Sequence, residues 1–179
     1  MSIYIKIAAT LLLLTCMGAH AFQLGSPFNT HLAQKHRKEL ESLVVPVDRL
    51  PSSCRLATEI KTAPIFPATT NPFVTDNVQL IEFVAQIGFG QKQLQDVSTA
   101  LSALYINRQP PNEVGVWGLK FKTAGAAGVA HKSLKYKEVL RKDALLVTLW
   151  RDADIGELCR QAIKDYLIGN GFESLPARP

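Results

Sequence analysis

Between Glu113 and Ile168, strand-like and helix-like runs alternate with clear punctuation, and that alternation commits the chain to a mixed architecture. Val114, Val116, Leu119 and Phe121 lie in a run of β-formers. Thr123 then opens a stretch containing Ala124, Ala126, Ala127, Ala130 and Leu134, small residues that let a helix lie close against a sheet. Ala144 to Trp150 is apolar at every position but Thr148, the pattern of a strand covered on both faces. Asp152 and Asp154 follow as helix caps, with Glu157 three residues after Asp154 in a capping-box-like start. Ile155, Leu158, Cys159, Ala162, Ile163, Tyr166 and Leu167 supply the buried face of that helix, and Gly169-Asn170-Gly171 closes it. The unit reads β-α-β-α. A right-handed parallel crossover fits the spacing, and so does an antiparallel pairing that turns in the loop from Lys137 to Asp143.

The first half reads as helical and proline-rich. Leu32, Ala33, His36, Leu40 and Leu43 share one face of a helix over Thr30 to Val44, which Pro46 ends. Pro46, Pro51, Pro64, Pro67 and Pro72 then exclude any long helix and leave room for one short turn near Arg55 to Lys61. A second helix opens at Thr75 or Asp76 and stops at Gly88 and Gly90. Leu94, Val97, Leu101, Leu104 and Tyr105 recur at helical steps and predict a third helix over Gln91 to Ile106. Val44 to Val47 is a candidate for a third short strand. The fold class expected is α+β: a single domain over residues 22–179, its helical first half packed on a small sheet formed by the unit at 113–168.

Residues 1–21 stand apart from that domain. Lys6, the apolar run Ile7 to Leu14 and Ala19-His20-Ala21 form the pattern of a secretory signal peptide cleaved after Ala21. The run is shorter than the ~20 residues that span a bilayer, and Thr15 before Cys16 fits a lipidation signal poorly. The mature chain is thus expected to be exported, periplasmic or extracellular, with no membrane-spanning segment. It keeps two cysteines, Cys54 and Cys159, and in an exported protein that pair predicts a disulfide.

Catalytic and metal signatures are sparse. His31 and His36 are not at a helical ligand step, and no Cys-x-x-Cys or His-Glu-x-x-His occurs, so neither metal nor cofactor is expected. No Gly-x-Ser-x-Gly elbow is present, and Gly88-Phe89-Gly90 lacks the remainder of a dinucleotide loop. These absences favour a non-catalytic protein. A second reading, an enzyme or ligand carrier, places a pocket between the proline-rich segment at Ile65 to Phe73 and the strand ends, with Asp76, Trp150, Asp152 and Asp154 as its residues. A third is an envelope scaffold subunit.

Charge is the more informative signal. From Phe22 to Glu113 eight basic residues face eight acidic ones, whereas from Val114 to Lys142 seven basic residues face only Glu138. The block is Lys120, Lys122, Lys132, Lys135, Lys137, Arg141 and Lys142. A surface built from it suits an anionic partner: a lipid surface, an acidic glycan or an acidic protein. Nucleic acid is disfavoured, since no recognition motif is present. The sequence therefore points to an exported binding or accessory protein.

Overall fold

A computed structural model of the chain describes residues 31–57, 71–91, 94–107, 112–134, 138–152 and 156–176. Among the described residues, four helices and seven strands fold into a mixed α+β architecture built on one antiparallel sheet. In chain order the elements are α1 (His31–Glu41), β1 (Cys54–Leu56), β2 (Phe73–Thr75), α2 (Val78–Phe89), β3 (Val97–Asn107), β4 (Asn112–Phe121), α3 (Ala124–Ser133), β5 (Glu138–Lys142), β6 (Leu145–Arg151), α4 (Glu157–Gly169) and β7 (Glu173–Pro176). The sheet order is β1-β3-β4-β6-β5-β7, and β2 also pairs with β3, beside β1.

Side-chain alternation along the central strands sorts the core into two layers. Val114, Val116, Leu101, Ala103, Tyr105, Leu145 and Val147 face α1 and α4, where they meet Leu40, Leu43, Cys159, Ile163 and Leu167. Trp117, Leu119, Phe121, Ala100 and Leu146 face α2 and α3, where they meet Leu80, Ile81, Val84, Ala127 and Ala130. The sheet is thus sandwiched, two helices to a face. Cys54 and Cys159 form a disulfide with a Cα separation of 5.6 Å, tying the β1 edge to α4.

Local chemistry sets the element ends. Asn77 caps α2 by accepting from the Leu80 amide, and Gly90 ends that helix at φ 64°, a left-handed geometry that favours glycine. Thr123 caps α3 through its hydroxyl, as the sequence implied. Asp143, at φ 50°, makes the two-residue turn between β5 and β6. Tyr105 accepts a hydrogen bond from the Val45 amide at 2.9 Å and so pins the turn after α1 to the sheet; burial pushes its hydroxyl pKa up to about 12.

Several expectations are overturned. The third helix does not exist: Val97–Asn107 is a strand, with Thr99 to Tyr105 buried throughout. A strand covered on both faces loses its two-residue alternation, and its apolar residues then satisfy helical steps by coincidence. The first half consequently supplies three strands, and the sheet is not small. Arg55 belongs to β1 rather than to a helical turn, while residues 58–61 of that expected turn lie outside the described residues. Val44 to Val47 is no strand but the approach to a 3-10 turn at Val47–Arg49. The expected loop at Lys137 to Asp143 contains β5, so the unit runs β-α-β-β-α, and β4 pairs with β6 antiparallel. Asn77 rather than Thr75 or Asp76 caps α2, Thr75 instead accepting from the Asn77 amide. The residue preceding α4 is Gly156, with no side-chain cap; Asp152 is exposed and Asp154 lies outside the described residues.

Candidate functional site

Of the seven cations in the block, Lys120, Lys122, Lys132, Arg141 and Lys142 are described, while Lys135 and Lys137 lie outside the described residues. Sheet geometry divides these five by face and by partner. Lys120 points to the α1 face and forms an ion pair with Glu39. Lys122, at the end of β4, pairs with Asp96 at 3.4 Å. Both charges are neutralised locally.

The other three meet no carboxylate among the described residues. Arg141 leaves β5 on the α3 side, donating from Nη2 to the Ala124 carbonyl at 3.0 Å and from Nε to the Asp143 carbonyl at 3.3 Å. Its guanidinium lies close to Gly128, where an added Cβ would sit 3.5 Å from Nη1. Lys142, next along the strand, points to the opposite face; its ammonium donates to the Asn170 carbonyl at 2.7 Å and stands 5.8 Å from the centre of the Phe172 ring. Lys132 is exposed on α3.

The obvious acid for these cations is Glu138, the one carboxylate of the block, and it is engaged elsewhere. Glu138 points to the α4 face, where it accepts from Arg160 at 3.2 Å, Lys164 at 2.5 Å and Ser174 at 3.0 Å. Partial burial would raise its pKa, but hydrogen bonds from Lys164, Ser174 and Arg160 outweigh that and hold it below its ordinary value. Arg160 also grips Glu157 at 2.7 and 2.8 Å, and this contact is the main cause holding the Glu157 carboxyl low. The network locks α4 onto β5; on the α3 side Lys132 and Arg141 make no ion pair among the described residues, although Glu173 is the cross-strand partner of Arg141.

Those cations rim a trough. A hollow of about 580 Å3 lies between α3 and β7, lined by Gly128, Val129, His131, Lys132, Arg141 and Leu175 among others, with no carboxylate among the described residues of its lining. A second hollow of about 470 Å3 shares Ala124 and Arg141 with it and continues around the β5–β6 turn to Lys142, Asp143 and Glu173. Val129, at 70 % exposure, is a large apolar side chain left open on this helix.

Of the residues proposed for a pocket near the strand ends, Asp154 lies outside the described residues, and Asp76 and Asp152 are far apart. Thr75 pairs with Ala100, and Ala100 with Leu119, which puts Asp76 toward one end of β4; Arg151 pairs with Val114, which puts Asp152 at the other. The offset of five strand residues is roughly 17 Å. Phe73 is fully buried in the core, and residues 65–70 lie outside the described residues. Trp150 stacks on Trp117, with ring centres 6.5 Å apart, and its indole lies over Gly115. Asp152 instead neighbours Glu113, whose carboxyl is held above its ordinary value by burial and by the Asp152 charge.

No family model, curated protein or solved structure matches this chain. Functional argument therefore rests on its own chemistry. Among the described residues no group of three or more His, Cys, Asp or Glu side chains is placed to hold a metal ion, and no helix is long and apolar enough to cross a membrane. Sequence reasoning missed Val129, Leu175 and Pro176 as trough residues. Val129 was accessible in principle, standing four residues after Gly125 and three before Lys132 on one helical face. Leu175 and Pro176 were not, since a four-residue edge strand carries too little pattern to be seen.

Proposed function

We propose that the mature chain is an exported binding or accessory protein that meets an anionic partner along the α3–β5–β7 trough. The observation that carries this reading is the pairing pattern: Lys120 and Lys122 are matched to carboxylates, whereas Lys132, Arg141 and Lys142 have none among the described residues. Glu138, held by Arg160 and Lys164, cannot neutralise them. Export is supported by the amino-terminal pattern ending at Ala21 and is compatible with the disulfide.

Charge complementarity of this kind acts through solvent and is screened by salt. Titrating the mature protein with heparin, polyglutamate and phosphatidylglycerol vesicles should show at least one anion binding, with affinity falling as salt rises. Lys132→Glu should weaken that binding about fivefold, the effect of roughly 1 kcal/mol at a solvent-facing cation. Binding that ignores both salt and Lys132→Glu would sink the reading.

A further inference from the structure

The trough offers more than charge. Besides Lys132, Arg141 and His131 its lining holds the apolar side chains Val129, Leu175 and Pro176 and the small residues Ala124, Gly125 and Gly128 of α3. A polyanionic glycan would leave those apolar side chains unused. Ala124 to Lys132 covers about 12 Å of helix at ~1.5 Å per residue, the reach of three to four residues of extended chain. Beyond Arg141 the second hollow carries Asp143 and Glu173 beside Lys142, so the acidic segment is confined to the first hollow.

We infer that the trough takes an acidic peptide segment in extended conformation, seating one apolar side chain against Val129, Leu175 and Pro176 and setting its flanking carboxylates against Lys132 and Arg141. This deepens, and rests on, the anionic-partner reading above. Arg141 suits the role because it is already held by the Ala124 and Asp143 carbonyls and keeps Nη1 donors to offer a carboxylate.

The test uses two fluorescein-labelled heptapeptides, each rich in glutamate, one with a central leucine and its twin with serine there, read by anisotropy against the full mature protein. The leucine peptide should bind about tenfold more tightly, the scale expected for burying one large apolar side chain. Val129→Ser, which removes the apolar surface without changing the charge, should reduce it to the level of its twin, while Lys132→Glu should weaken both. These positions are exposed, and unchanged far-ultraviolet circular dichroism would confirm that each variant is folded. Equal affinity of the twins, or indifference to Val129→Ser, overturns the peptide assignment and leaves the anionic reading intact. Heparin binding more tightly than the leucine peptide, sensitive to Lys132→Glu alone, does the same. Failure of both peptides, heparin, polyglutamate and phosphatidylglycerol vesicles to bind overturns both readings.

Discussion

At Gly115 the chain leaves no room for a side chain: an added Cβ would come within 1.8 Å of Trp150 Nε1, because the indole lies directly over the strand backbone. Gly115→Ala should therefore destabilise the protein by about 1–3 kcal/mol through overpacking, measured as a lower urea midpoint. Two carboxylates of opposite temper give a pH test. Glu138 has a lowered pKa, so its contribution to stability is present above its ordinary value of 4.5 and is lost as pH falls through the lower folded-state value. Glu113 has a raised pKa, so the folded state is penalised as it ionises on the way to neutral pH. At pH 7, Glu138→Gln should lower stability and Glu113→Gln should raise it, and both differences should shrink toward pH 3 in denaturation curves. The cations of the block were legible as a local excess of charge. Which of them are neutralised was not, because Glu39 and Asp96 reach Lys120 and Lys122 across the fold from distant sequence.

Among the elements, the disulfide between β1 and α4 makes the firmest prediction. Its two cysteines stand 105 residues apart, a separation for which the loop-entropy model credits about 4.7 kcal/mol as an upper bound. The Cys54→Ser, Cys159→Ser double variant should lose several kcal/mol, and the native mature protein should resist alkylation until reduced. Parity and the expectation of export sufficed to foresee this bond. Helices α1, α2, α3 and α4 were visible because each keeps one wet face and one dry face, as the exposed Lys35 and Lys38 against buried Leu40 show for α1. Strand β3 was invisible because both its faces are dry, so periodicity carried no information about which period was meant. Strand β5 was hidden for another reason: at the sheet margin Glu138, Arg141 and Lys142 dilute its apolar residues to Val139 and Leu140, and charge alone resembles a loop.

Taken whole, the molecule is a sheet with a helical pair on each side, and its two tryptophans belong to one side only. Trp117 and Trp150 stack on each other beneath α2, with Phe83 edge-on to Trp117 at 6.4 Å. Tyr105 and Tyr166 lie on the other side, with α1, α4 and the disulfide. If the amino-terminal pattern is cleaved as proposed, the intact mass of the purified protein should match a chain beginning at Phe22, and that same preparation permits a finer experiment. With Tyr136, which lies outside the described residues, replaced by Phe, indole emission and tyrosine absorbance are separate optical windows onto the two layers. Coincident unfolding curves in both windows would show that the sheet transmits cooperativity through its full thickness. After reduction of the disulfide, only the tyrosine side loses a covalent restraint. Separation of the two curves at that point would turn a pair of aromatic residues into a native gauge of how strongly one layer depends on the other.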